Sequence, residues 1–283
     1  RGTDLAGNGG VTVDKRPIGV FDSGLGGLTA VRQLMDQLPG EDIIYFGDTS
    51  RVPYGGRSSE TVLKYTRQDI NFLLQFDIKA IVIACNTADT AAGAQVQREY
   101  DLPICGAIRP TAKKAAMTTR NNRVGVIGTN ATIRGRAYDG IIREVNPRAQ
   151  VRSIACPLLV PLVENFRTKP GDPVVEQVVA EYLQPLKEWG CDTLVLGCTH
   201  YPLLWDVISA YMGPDVTLIN SGKEAACQLA ETLRRADMLS GNESGGTYKF
   251  YVSDTTEGFA QMASAFLEKP VSELVGKIDI ERY

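Results

Sequence analysis

The chain has 283 residues, 43% of them hydrophobic and 22% charged, with a formal net charge of −3. That is an ordinary soluble globular composition with room for two packed cores, and its near-neutral balance gives no electrostatic case for nucleic acid or an anionic membrane. No apolar run approaches the roughly 20 residues that span a bilayer.

Residues 1–14 are Gly-rich and aperiodic, carry no signal-peptide core, and read as a flexible tail. Ile18–Phe21 is an apolar strand ending at Asp22, followed by a turn of Ser23, Gly24, Gly26 and Gly27 and then a helix. Such a turn exposes backbone N–H groups at a helix start and suits an anion; its spacing is not that of a dinucleotide fingerprint. The glycines alone permit a bland reading, a tight turn and nothing more. Asp22 argues otherwise, because a strand's carboxyl end faces the ligand crevice of an open parallel sheet.

A second strand closes at Asp48 and opens into a loop punctuated by Pro53, Tyr54, Gly55 and Gly56, a candidate lid or a mere connection. Ser58 or Ser59 caps the helix predicted up to Phe76. The third strand delivers Cys85, with Asn86 and Thr87 directly after it. A helix, the short strand around Ile104 and a helix beginning near Pro110 come next.

Arg123–Ile142 repeats the strand-turn-helix plan with Thr129, Asn130 and Thr132 at the turn, where hydroxyls cap helices by default and can also grip a carboxylate. A strand ending at Cys156 leads to an apolar stretch carrying Glu164, whose bland reading is a solvated acid. After an amphipathic helix from Asp172, the strand Thr193–Gly197 ends at Cys198, with Thr199 and His200 following. A further strand and helix, a polar Gly-rich loop, the strand around Phe250 and a last helix complete the chain.

Strands and helices alternate almost throughout, which means parallel sheets covered by helices. Lys79–Ala92 and Thr193–Leu204 share one plan: apolar strand, cysteine, small polar residue, helix. The expected fold is therefore α/β, with two similar doubly wound parallel-sheet domains and the active site in the cleft between them. The two-part repeat ranks an eight-fold barrel lower.

Six cysteines and one histidine, His200, occur, and no Cys-x-x-Cys pair. The thiols read as reduced and intracellular, so a cytoplasmic location is expected; no metal site is expected. Cys105, Cys191 and Cys227 read as core residues; Cys156 ends a strand, but without the small polar residue that follows Cys85 and Cys198. For two thiols aimed at one cleft, three chemistries stand open. A disulfide switch fits poorly, because redox pairs sit close in sequence. A hydrolase would need Cys198 and His200, only two residues apart, to act as a dyad. The third is acid–base catalysis from two faces of one carbon, in which one thiolate removes a proton and the other thiol returns one. A free thiol, with a pKa of about 8.5, can serve as either once tuned.

The stretches Asp22–Gly27 (DSGLGG), Gly47–Gly55 (GDTSRVPYG), Ala84–Ala88 (ACNTA), Pro161–Glu164 (PLVE) and Gly197–Leu204 (GCTHYPLL) resemble the glutamate racemases, in the family's order, over roughly residues 17–222. The resemblance implies a cofactor-independent enzyme that interconverts L- and D-glutamate for peptidoglycan synthesis, and a homodimer. It implies that the chain returns to the first domain near its C-terminus, with residues 15–109 and 221–283 in the first domain and 110–220 in the second. It implies Cys85 and Cys198 as the two bases, serving D- and L-glutamate respectively. Asp22 would assist Cys85 and His200 would assist Cys198, with Glu164 and Asp48 nearby. Ser23, Tyr54, Gly55, Asn86, Thr87, Thr129, Thr132 and Thr199 would bind substrate together with Asp22 and His200. The sequence departs from the common pattern at Asp89 and Thr90, and again at Arg109, Pro110 and Thr111, all expected where the domains meet. A racemase of aspartate or a hydantoin, a one-thiol decarboxylase of the same fold and a non-catalytic binding protein are the rivals. The presence of both cysteines and Asp22 argues against the last two.

Overall fold

Ten strands form two sheets in which every pairing is parallel, in a computed structural model that describes residues 13–271 and 275–283. The expected tail, apart from residues 13 and 14, lies outside the described residues. The strands are β1 (Ile18–Asp22), β2 (Ile43–Gly47), β3 (Ala80–Ile83), β4 (Ile104–Gly106), β5 (Arg123–Gly128), β6 (Gln150–Ala155), β7 (Thr193–Gly197), β8 (Thr217–Asn220), β9 (Tyr248–Val252) and β10 (Val275–Lys277). The first sheet has the order β10-β9-β2-β1-β3-β4, the second β6-β5-β7-β8.

The repeat read from the sequence is a repeat of topology. The second sheet's order matches β2-β1-β3-β4 of the first, strand for strand. β3 and β7 therefore occupy equivalent places, each beside the first strand of its unit, which is the switch point where an open sheet binds ligands. β9 and β10 extend the first sheet beyond β2; β10 is too short to carry a pattern legible in sequence.

Continuous apolar runs make the central strands because both faces are covered. Ile18 and Val20 join one buried cluster with Leu28, Val31 and Leu34 of the Leu28–Gln37 helix. Phe21, Ile81 and Ile83 join another, with Val62, Ile70 and Phe72 of the Ser59–Leu73 helix. Each such side chain contributes roughly 1.5–3 kcal/mol when fully buried. The first of these clusters also takes in Ile127, Leu194 and Leu196 of the second sheet, while Val124, Val126 and Val195 face a third.

Local chemistry sets the helix ends. Ser58 Oγ accepts from Thr61 N–H at 3.2 Å and caps the Ser59–Leu73 helix. Asp172 caps the Pro173–Trp189 helix, with Pro173 in its first turn and Gly190 at φ 73° beyond its end. The helix expected from Pro110 starts earlier, at Ile108, because proline is tolerated in a first turn. No helix among the described residues is long and apolar enough to cross a membrane.

Candidate active site

Cys85 leaves β3 with extended backbone and stands at the cap position of a helix starting at Asn86. Its Sγ lies 3.5 Å from Ser23 Oγ, on the turn after β1, and accepts from Ala88 N–H at 3.4 Å. Asp22, at the end of β1, is fully buried behind this pair. Gly24 N–H donates to its Oδ2 at 3.1 Å, and Thr199 Oγ1 donates to its Oδ1 at 3.4 Å. Burial raises the Asp22 carboxyl above its ordinary range, and His200 and the neighbouring N–H groups pull the other way. Burial also pushes the Cys85 thiol up to about 12, with the Asp22 charge adding to it and Ser23 and Ala88 opposing.

Cys198 is the counterpart after β7. Its Sγ is 3.8 Å from His200 Nδ1. The other ring nitrogen, Nε2, is 3.0 Å from Glu164 Oε1, and the ring edge meets Phe266 at a centroid distance of 5.6 Å. Burial alone would lower the imidazole's pKa. The hydrogen bonds to Cys198 and Glu164, and the Cys198 and Asp22 charges, outweigh it and bring His200 to about 10. The Thr199 carbonyl accepts from Thr29 Oγ1 at 2.8 Å, tying this turn to the first helix. Gly26 lets the turns approach: a methyl group there would collide with Thr199 Oγ1 and the His200 ring.

One cavity of about 410 Å³ opens between the sheets with both thiols in its wall. Ser23, Tyr54, Gly55, Asn86, Thr87, Thr129, Glu164, Thr199 and His200 line it too. The hydroxyls of Thr87, Thr129 and Thr132 form a triangle across the sheets, with sides of 2.8, 3.1 and 3.3 Å. Thr132 stands behind the wall rather than in it, and its N–H donates to the capping Thr129 hydroxyl. Asp22 likewise acts from behind.

Asp48 is not in the wall. Its Oδ2 accepts from Arg51 Nε at 2.6 Å and from the Tyr54 hydroxyl, and its Oδ1 from Ser253 Oγ at 2.8 Å. Arg51 continues to Asp69, Gln68 and Glu281, over the face of Tyr65. A guanidinium three residues away captures the carboxylate, so Asp48 braces the loop that carries Tyr54. The Tyr54 hydroxyl is committed to Asp48 and Asp69, while the residue itself lines the cavity.

Sequence reading did not find the partners of Asn86. Its Oδ1 accepts from the Tyr138 hydroxyl at 2.5 Å, and its Nδ2 donates to Ser221 Oγ at 3.1 Å. Neither residue stands in a recognisable motif; Ser221 had the only local signal, its place at a strand-to-helix turn. Val52, Pro53, Pro157 and Val160 give the cavity its apolar side. Cys105, Cys156 and Cys191 are buried in the core, and Cys227 is partly exposed. Among the described residues no three metal-ligating side chains cluster to hold an ion.

Fold and site together define an α/β protein with two parallel sheets of matching topology and a cysteine from each facing one intersheet cavity. Residues 28–229 match the Asp/Glu/Hydantoin racemase family. The glutamate racemase of Geobacter metallireducens is 46% identical over 252 residues, covering 89% of this chain and 93% of that one. The crystal structure of a Bacillus anthracis glutamate racemase superposes with a TM-score of 0.89 at 39% identity, covering 93% of this chain and 97% of that one. That of the Francisella tularensis glutamate racemase, in complex with D-glutamate, superposes at 0.87 with 38% identity, covering 96% and 100%. The chain belongs to the Asp/Glu/hydantoin racemase family.

Proposed function

We propose that this protein is a cofactor-independent glutamate racemase in which Cys85 and Cys198 exchange protons with opposite faces of Cα. The observation that supports it most is the pair of topologically equivalent thiols in one cavity, each with its own polar partners. In one direction the Cys85 thiolate takes the α-proton and the C–H electron pair passes to Cα and its carboxylate. The Cys198 thiol then delivers a proton to the other face, leaving Cys85 as thiol and Cys198 as thiolate. The reverse reaction exchanges these roles. By the family resemblance Cys85 serves D-glutamate and Cys198 serves L-glutamate.

A carbanion beside a carboxylate needs donors as charge develops. The Thr87, Thr129 and Thr199 hydroxyls and the N–H groups at the two helix starts are suited to that, with Ser23 beside Cys85. His200, held by Glu164, is suited to trade a proton with Cys198. The glutamate racemases named above support glutamate as substrate. With it come the expectations of a cytoplasmic homodimer that supplies D-glutamate for peptidoglycan. Light scattering tests the dimer, and complementation of a D-glutamate-requiring bacterium tests the supply. The chemistry is tested in D₂O with L-glutamate and no added cofactor, following optical rotation and the α-proton signal together. Decay of rotation with deuterium at Cα is the expected result; unchanged glutamate in both signals overturns the reading.

A further inference from the structure

The helical segment that begins after Cys85 is bonded to both places where the chain crosses between the sheets. At the first crossing the chain leaves β4 at Gly106 and enters the Ile108–Thr118 helix, whose apolar residues pack with Val124, Val126 and Tyr138 on the second sheet. At the second it leaves β8 at Asn220 and enters the Ser221–Arg235 helix. Asn86 holds the second crossing through Ser221. Asp89, which the site described above does not use, holds the first: its Oδ2 accepts from Ile108 N–H at 2.7 Å.

Three features mark Asp89 as built into this joint. The cap residue of the Ile108–Thr118 helix is Ala107, which has no side-chain acceptor; Asp89 supplies one from the helical segment after β3, the strand beside β4, and a carboxylate there also meets the positive end of the helix. Its own N–H donates to the Cys85 carbonyl at 2.9 Å, so carboxylate and thiol ride on one helical turn. Room for the carboxylate exists because residues 93 and 106 are glycines; a methyl group at either would collide with it. From Asp89 to Gly93 the helix widens into a π-turn, an irregularity that accompanies functional positions.

We propose that Asp89 is a positioning residue for Cys85: its bond to the Ile108 amide fixes the first intersheet crossing to the turn that carries the thiol, and so sets where Cys85 stands relative to Cys198. The proposal rests on the two-thiol reading above. Cys198 is carried by the second sheet, so the distance between the thiols depends on how the crossings are held. An error of about an ångström in such a pair costs on the order of a hundredfold in rate.

The test compares Asp89→Ala, which removes the acceptor, with Asp89→Asn, which keeps a carbonyl oxygen at the same reach. Asp89→Ala is expected to lower kcat roughly tenfold or more with KM little changed, and Asp89→Asn to recover most of it. Wild-type kcat in Asp89→Ala overturns the proposal, as does an Asn variant no better than Ala when both are fully folded by circular dichroism. A kcat that merely follows melting temperature across the variants also overturns it. If the wild-type protein leaves glutamate unchanged, the functional reading fails on its own. The joint is then read by amide hydrogen exchange: faster exchange at residues 86–93 and 107–109 in Ala but not in Asn supports it, and equal exchange in all three proteins overturns it.

Discussion

His200 stands between Glu164 and Cys198, with Nε2 3.0 Å from the carboxylate and Nδ1 3.8 Å from the sulfur. Burial works against the charged ring, yet its partners win and raise it to about 10. An imidazolium held in that range can stabilise a Cys198 thiolate and hand over a proton without leaving the hydrogen-bonded pair.

This relationship is directly measurable, because His200 is the only histidine in the chain. Its ring resonances titrate in an NMR experiment without assignment by mutation. The wild-type midpoint is expected near 10, and Glu164→Gln is expected to bring it down. The same substitution should reduce kcat/KM by roughly a hundredfold, the lower end of the 10²–10⁴ that a positioned acid–base group contributes. A wild-type midpoint near the ordinary value of about 6.5 would remove Glu164 and His200 from the mechanism.

Stability carries the same sign. A basic group raised in the folded state stabilises fully below its unfolded pKa, and that contribution is lost as pH rises through the folded value. His200→Gln should therefore lower the melting temperature most near pH 6, with the difference shrinking as pH approaches about 10. Scanning calorimetry at pH 6, 8 and 9.5 gives the answer. A gap that widens with pH contradicts the raised pKa.

Replacing either thiol separates the proton transfers. Cys85→Ala and Cys198→Ala each remove a single sulfur from the cavity wall, so the fold should survive with a small loss of stability. Racemisation should fall to background in both. A wild-type rate in either variant ends the two-base scheme.

The repeat was legible because apolar β-branched runs ending at a cysteine occur twice, and a parallel sheet turns such runs into equivalent strand ends. Asp48 was not legible. It too ends a strand, but Arg51 follows three residues later and Asp69 arrives from the third turn of the next helix, and this buried charge network holds the side chain out of the cavity wall. Tyr138 and Ser221 were hidden for a related reason: their bonds to Asn86 span 52 and 135 residues, and no local pattern encodes such a pairing. Glu164 was visible as a lone acid after an apolar run, but its bond to His200 needs both sheet ends in place.

The cavity places a demand on the substrate. Burial, reinforced by Asp22, raises Cys85 to about 12, and no Lys or Arg lines the wall among the described residues. The one cation in the wall, the His200 imidazolium, is paired with Cys198 and Glu164, so the Cys85 thiolate needs a positive charge from elsewhere, and the α-ammonium of a bound amino acid supplies it. N-acetyl-L-glutamate keeps both carboxylates but lacks that charge. It should compete with glutamate for binding and exchange no α-proton in D₂O. Exchange at a rate near that of glutamate would show that Cys85 is ionised by some other means.

Asp89 offers a test in which stability and activity move apart. Burial raises its carboxyl to about 6, against the pull of the Ile108 N–H. Because the folded pKa lies above the unfolded value of about 3.9, protonation stabilises the fold: the gain begins as pH falls through about 6 and is complete below the unfolded value. At pH 7.5 the ionised carboxylate is a net cost, which Asp89→Asn relieves while keeping an acceptor for Ile108. The Asn variant should melt above the wild type at pH 7.5, and the advantage should shrink between pH 6 and pH 4 as the wild type takes up its proton. A constant difference across that window would mean that Asp89 titrates at its ordinary pKa. The charge would then not be buried at the joint, and only the hydrogen bond would distinguish the variants.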